Sequence, residues 1–195
     1  DNEKINCDLL FITDDEIEPI SILNILKNDK EYFINKKTRK EEKRYPGQTL
    51  ITTTLQQAAQ NELGLNVKTT MNIAQKLFDN GKITYMRTDS TYISEEFQKT
   101  IERKVSNEYS EEYYKKFECK KKKIKGAQEA HECIRPTNIY LTPKDIKQYI
   151  TLEEYKLYEI IWQRAVSSQM ASAVLDQVAV DITNEDKKIV LRANG

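Results

Sequence analysis

Apolar and polar positions change rhythm several times along this chain, and each change predicts an element. Residues 8–13 are a short apolar run that predicts a buried strand, followed by the acidic stretch of residues 14–18. Ile22, Leu23, Ile25 and Leu26 mark a short helix over residues 20–26, and residues 31–35 read as another strand. From Lys36 to Arg44 charges leave no core face, and Tyr45-Pro46-Gly47-Gln48 is a turn, so the pattern places a boundary there. Thr53 is the expected N-cap of a helix over residues 54–63, with Leu55, Ala58, Ala59, Glu62 and Leu63 at helical spacing and Gly64 closing it. Thr69 or Thr70 opens the next, with an apolar face of Ile73, Ala74, Leu77 and Phe78, closed by Asn80-Gly81.

Residues 82–86 then read as a strand, which makes the two helices a helix-turn-helix with a wing. Lys76 is the one cation of the second helix, too little to read a major groove, so the unit is expected to be a scaffold that presents the segment after it. Thr91, Ser94, Glu95 and Glu96 supply the start signals of a helix whose packing face is Phe97, Ile101 and Val105. Thr142-Pro143 opens a short helix to about residue 149. Thr151 and Glu154 form a capping box for a long helix ending near Gln169, with Leu152, Tyr155, Tyr158, Ile161, Trp162 and Ala165 toward the core. Residues 174–183 and 187–192 alternate around a turn at 184–186 and predict a hairpin.

The 195 residues, 38% apolar and 32% charged, suit a soluble globular protein with room for a core. No run of about eighteen apolar residues occurs, so no membrane span is expected, and no basic-then-apolar leader suggests export. Cys7, Cys119 and Cys133 are an odd, scattered set that argues for a reducing compartment rather than a disulfide framework. A net charge of zero speaks against nucleic acid until distribution is considered. Cations gather at Lys36, Lys37, Arg39, Lys40, Lys43 and Arg44, and again at Lys115, Lys116, Lys120–Lys123 and Lys125, where they could follow a phosphate backbone or simply be solvated.

The densest chemistry lies in residues 82–90, which bring together the Tyr85 phenol, the Arg87 guanidinium, the Asp89 carboxylate and the hydroxyls of Thr84, Thr88 and Ser90. In an extended chain Ile83, Tyr85 and Arg87 would share one face and Thr84, Met86 and Thr88 the other. A guanidinium can hold a phosphate oxygen while a neighbouring phenol oxygen attacks phosphorus. The plainer alternative is a core-edge tyrosine beside a surface arginine. His131, the chain's single histidine, stands with Glu132 and Arg135, the latter either a phosphate contact or the partner of Glu132. Cys119, His131 and Cys133 match no standard zinc spacing, and the alternating Asp14, Glu16 and Glu18 suit a solvated turn better than a metal, so no metal site is expected.

The string I-T-Y-M-R-T-D-S around Tyr85 resembles the active-site signature of type IA DNA topoisomerases. Residues 53–59, T-T-L-Q-Q-A-A, resemble that family's T-S-T-L-Q-Q-x-A segment, and residues 128–137, Q-E-A-H-E-C-I-R-P-T, its Q-E-A-H-E-A-I-R-P-[ST] segment, in the same order. The resemblance is clearest over residues 50–137 and fainter to Gly195. It implies an α+β fold: a mainly helical domain, residues 46–170, whose winged helix-turn-helix carries the tyrosine, inserted in a β-rich arch or platform domain made of residues 1–45 and 171–195. The final hairpin would then pair with the strands of the first 45 residues.

The resemblance further implies that Tyr85 cuts one DNA strand through a 5′-phosphotyrosine intermediate and rejoins it, relaxing negative supercoils. Arg87 would assist the tyrosine, and His131, Thr84, Thr88, Asp89 and Arg135 would serve the phosphate or its surroundings. Its partner is a single-stranded segment of DNA, and the expected location is the cytoplasm, at the nucleoid. Magnesium belongs to an acidic N-terminal domain that nothing in these 195 residues resembles, so the chain by itself is expected to be inactive. The competing readings are a single-stranded DNA-binding module without catalysis and a structural arm of the DNA gate.

Overall fold

The computed structural model describes residues 5–10, 19–29, 31–115, 131–187 and 189–195. Residues 11–13 of the expected first strand, the acidic trio Asp14, Glu16 and Glu18, Cys119, the lysines from Lys116 to Lys125 and the Gln128-Glu129-Ala130 part of the third motif lie outside them. The chain divides into two compact units, one made of Asp1–Arg44 with Ala173–Gly195 and one made of Tyr45–Ser172.

Among the described residues the first unit is an antiparallel sheet with one helix. Strands β1 (Asp8–Leu10), β2 (Tyr32–Arg44), β3 (Ala173–Asn184) and β4 (Val190–Asn194) stand in the order β1-β4-β3-β2, and helix α1 spans Pro19–Asn28. The C-terminal hairpin therefore pairs β3 with β2 and β4 with β1. The charged stretch forms the rest of β2 after a bulge between Ile34 and Lys36, ending with Arg44 opposite Ala173. Its side chains alternate in direction without alternating in polarity because this ribbon is exposed on both faces. A long outer strand studded with lysine and arginine also resists pairing with other chains.

The second unit is built from α2 (Thr52–Leu63), α3 (Val67–Asp79), α4 (Glu95–Glu108), α5 (Pro143–Ile146) and α6 (Leu152–Ser167), with a 3-10 turn at Glu111–Tyr113. Helix α2 starts earlier than its pattern predicted: Ile51 is the N-cap, and its backbone N–H donates to Thr54 Oγ1 at 2.9 Å. Gly64 ends the helix in the left-handed conformation, φ 67°, where glycine avoids the Cβ penalty. Helix α3 is capped by Asn66, whose side chain accepts from Thr69 N–H at 2.9 Å, and not by Thr69 or Thr70. Thr70 is buried and turns its hydroxyl back to Asn66 O.

The expected apolar faces of α2, α3 and α4 pack largely as read, apart from Glu62, which is exposed. In α6 the buried residues include Leu157, Tyr158, Ile160, Ile161, Ala165 and Val166, while Leu152 is 62% exposed. As the first residue after the Thr151 cap, Leu152 precedes the turn at which the helix meets its neighbours.

Two apolar clusters result. One gathers α2, α3 and α6 around Leu55, Leu77, Met86, Ile134 and Ile161, and the other sets α4 against Cys133, Ile139 and Val166. Burying one leucine such as Leu55 contributes about 2 kcal/mol. Residues 133–139 belong to both clusters, and Trp162 packs against both. The expected wing strand over residues 82–86 is absent: one isolated bridge, Ile83 with Pro136, is all that forms.

Candidate active site

The tyrosine loop leaves α3 through Asn80 and Gly81, whose φ of 64° reverses the chain. Gly81 N–H donates to Phe78 O and Lys82 N–H to Leu77 O, both at 2.8 Å. Next the loop runs antiparallel to residues 134–137. Thr84 N–H donates to Arg135 O at 2.9 Å, and Thr137 N–H to Lys82 O at 3.0 Å. The Thr84 hydroxyl donates to Cys133 O at 2.7 Å and accepts from Arg135 N–H at 3.0 Å. Thr84 thus staples Cys133 and Arg135 to the loop, and its oxygen is engaged within the protein.

Beyond Thr84 regular pairing stops and side chains separate inward and outward. Met86 is 1% exposed and Thr88 is buried, whereas Tyr85, Arg87 and Asp89 are exposed. Ile83 is buried as well, so it does not share the face of Tyr85 and Arg87 as an extended strand would require. Tyr85 is 44% exposed, its ring resting edge-on against Phe78 of α3 with centroids 5.3 Å apart. Such an edge contact holds one side of a ring that is otherwise half exposed. The core-edge role that a tyrosine often plays falls to Tyr158, which is fully buried and donates to Leu141 O at 2.7 Å, its phenol pushed up in pKa by burial.

Thr52, at the first position of α2, holds the loop's other side. Its N–H donates to Thr88 O at 2.9 Å, and its hydroxyl lies 2.9 Å from Met86 O and accepts from Thr88 N–H at 2.9 Å. The Thr88 hydroxyl in turn accepts from Ser90 N–H at 3.1 Å, so it too is spent on the loop. The sequence pattern offers Thr53 as the cap and passes over Thr52. The signal is a threonine at the start of an apolar helix, where first-turn N–H groups lack partners within the helix.

Arg135 lies at the heart of the third motif's packing. Its side chain is 11% exposed, pairs with Glu132, stacks 3.8 Å over the Phe97 ring and donates to Pro136 O at 2.9 Å. Of the two roles its sequence left open, partner of Glu132 is the one this structure displays. Glu132 also accepts from Ser94 N–H, the N-cap of α4, at 2.8 Å. Burial pushes the Glu132 carboxyl up, but hydrogen bonds from Ser94 and Arg135 outweigh it and hold the group below the usual range. Burial pushes the neighbouring Cys133 thiol up to about 12, so it remains protonated and a poor metal ligand. His131, at the start of this segment, is exposed. Among the described residues no group of three His, Cys, Asp or Glu side chains is placed to hold a metal ion.

An exposed phenol and guanidinium thus stand on a pinned loop of the helical unit, and comparison with known proteins gives the class. The model of the DNA topoisomerase family matches residues 6–195, and the chain belongs to that family, as a segment of a type IA enzyme. It is 38% identical to DNA topoisomerase 1 of Rickettsia bellii, over 100% of this chain and 26% of that protein. With the Rickettsia felis DNA topoisomerase 1 the identity is 37%, over 100% of this chain and 27% of the relative. The full-length topoisomerase I of Thermotoga maritima is similar in structure, with a TM-score of 0.81 and 29% identity over 97% of this chain and 32% of that one. The chain thus spans about a quarter to a third of the length of these relatives.

Proposed function

We propose that this chain carries the strand-cutting tyrosine of a type IA DNA topoisomerase, an isomerase that opens one DNA strand, lets another pass and reseals it, relaxing negative supercoils without a nucleotide cofactor. The observation that carries the reading is the outward pair Tyr85 and Arg87 on a loop whose intervening residue, Met86, is locked in the core. The Tyr85 oxygen attacks phosphorus as its proton passes to water, the bond from phosphorus to the 3′ oxygen breaks, and that oxygen takes up a proton from water. The strand is left with a free 3′ hydroxyl and a 5′ phosphate esterified to the ring. One phosphodiester replaces another of similar energy, so the 3′ hydroxyl can attack back and release the tyrosine.

Arg87 stabilises the charge on the phosphate oxygens and on the developing phenoxide. His131 and Asp89, both exposed, are assigned to the phosphate and its neighbourhood. Thr84 and Thr88 act through the loop they brace, and Arg135 through the segment it anchors. Helices α2 and α3 serve as the helix-turn-helix scaffold of the tyrosine, and the helical unit as an insertion in the β-rich arch that the sheet unit represents. The DNA it acts on is single-stranded at the cut, and its place of work is the cytoplasm, at the nucleoid. Magnesium, held by an acidic domain elsewhere in the full-length enzyme, supports cutting and resealing.

The test is Tyr85→Phe in the full-length enzyme. We expect no denaturation-resistant protein–DNA adduct on a single-stranded oligonucleotide, with binding of that oligonucleotide kept within about threefold because the ring and its charge neighbours remain. An adduct that survives the substitution overturns the assignment, and leaves this chain as a DNA-binding module or a structural arm.

A further inference from the structure

We propose that Thr52 is a positioning residue for strand cutting, fixing the direction of Arg87 through the two peptide groups that flank it; this rests on the assignment of Tyr85 and Arg87 to the cutting step. Arg87 sits between the peptide that carries the Met86 carbonyl and the peptide that carries the Thr88 N–H. The Thr52 hydroxyl engages both, at 2.9 Å from Met86 O and 2.9 Å from Thr88 N. It also lies 3.0 Å from Thr88 O, but that carbonyl already receives the Thr52 N–H at 2.9 Å. A hydroxyl has one proton and can accept as well, so the assignment that satisfies every group sends the proton to Met86 O and receives the Thr88 N–H.

A residue's backbone has two soft dihedrals, and fixing the peptide planes on either side fixes both. The Cα–Cβ direction of Arg87 is then set by one oxygen atom on α2. The need for such a clamp arises from the loop itself. Pairing with residues 134–137 ends at Thr84, and residues 84–90 lie outside regular structure. Met86 and Thr88 are held by burial, which fixes where those side chains go but leaves the peptides around an exposed arginine to other bonds. Threonine suits the place twice over, since its N–H is one of the free first-turn donors of α2 and its branched side chain restricts χ1.

The test uses the full-length enzyme, single-turnover cutting of a single-stranded oligonucleotide, and the adduct read on denaturing gels. Thr52→Val keeps shape and N–H but loses the hydroxyl. We expect the rate of adduct formation to fall about 30- to 100-fold, the scale on which small misplacements act, with oligonucleotide binding within about twofold. Thr52→Ser restores the hydroxyl and should recover the rate to within about fivefold of wild type. In an Arg87→Ala background Thr52→Val should cost less than about threefold further, because its effect runs through the arginine.

Wild-type cutting by Thr52→Val, no recovery in Thr52→Ser, or the same loss in both backgrounds overturns the proposal; the last of these marks Thr52 as a general stabiliser. Should Thr52→Val fail to fold by its circular dichroism melt, Thr52→Ala takes its place in the same cycle. Tyr85→Phe in the same assay separates the two layers. Loss of the adduct there with normal cutting by Thr52→Val sinks the clamp alone, whereas an adduct that survives Tyr85→Phe removes the reading beneath it.

Discussion

Removing the Glu132 carboxylate tests whether the third motif is built around it. Glu132→Ala takes the acceptor from Ser94 N–H at the start of α4, a hydrogen bond to a charged group worth about 1.5–3 kcal/mol. It also leaves Arg135, only 11% exposed, without its carboxylate, and breaking a buried pair costs about 3–5 kcal/mol. These terms share partners and do not add. The Phe97 ring and the Pro136 carbonyl still hold the guanidinium, and Glu132 itself is 24% exposed, so water can reach the gap. We therefore expect a net loss of about 3 kcal/mol, toward the lower end of the buried-pair range. Trp162, the chain's one tryptophan, touches both apolar clusters of the helical unit, so its fluorescence in urea follows that unit. With a slope of about 1.5 kcal/mol per molar urea, the midpoint should fall by about 2 M. Glu132→Gln, which keeps an acceptor for Ser94, should lose roughly half as much, since it forgoes only the charge. Adding Arg135→Met to Glu132→Ala should make the pair less unstable than the sum of the singles by about 1 kcal/mol or more, because the stranded cation is gone. A loss below about 0.5 kcal/mol for Glu132→Ala, the range of ordinary surface changes, or strict additivity, refutes the reasoning.

The same carboxylate sets a pH dependence. Its pKa is lowered on folding, so its contribution is fully present above the ordinary glutamate value of about 4.3 and is lost as pH falls through the lower folded value. The stability difference between wild type and Glu132→Gln should therefore be constant from about pH 6 upward and shrink below about pH 4; a difference unchanged down to about pH 3 would contradict this. A second expectation concerns the thiols: Cys7 is exposed, whereas Cys133 is buried and its thiol is pushed up to about 12. Alkylation at neutral pH and peptide mass analysis should find Cys7 labelled in the native protein and Cys133 only in denaturant, and rapid native labelling of Cys133 would show that the packing around it opens.

The elements legible in the sequence are those whose signals are local. The α2 and α3 faces, the Gly64 stop, the Thr151–Glu154 cap and the terminal hairpin depend on neighbours a few residues apart, and they form. The tyrosine loop is legible as chemistry, from residue types, but not as backbone: alternation over residues 83–88 imitates a strand, yet it arises from an irregular loop pinned by contacts from α2 and from residues 133–137. The length of β2 beyond residue 35 is hidden for the opposite reason, since a ribbon exposed on both faces carries no hydrophobic period. Arg135 cannot be placed from spacing because Phe97, the ring beneath it, lies far away in sequence.

The absence of a wing strand at Tyr85 is itself suited to the chemistry. Had the pairing at Ile83 run on through Arg87, the next strand would have covered backbone that now lies outside regular structure. Instead the ladder stops at Thr84, and the two inward residues beyond it, Met86 and Thr88, go into the core and the Thr52 clamp. The outward residues between them gain freedom of approach without freedom of backbone. On the roles proposed for Tyr85 and Arg87, a nucleophile and a cation carried on a pinned backbone need little rearrangement when a strand arrives, whereas a flexible loop would have to find the geometry anew at each encounter.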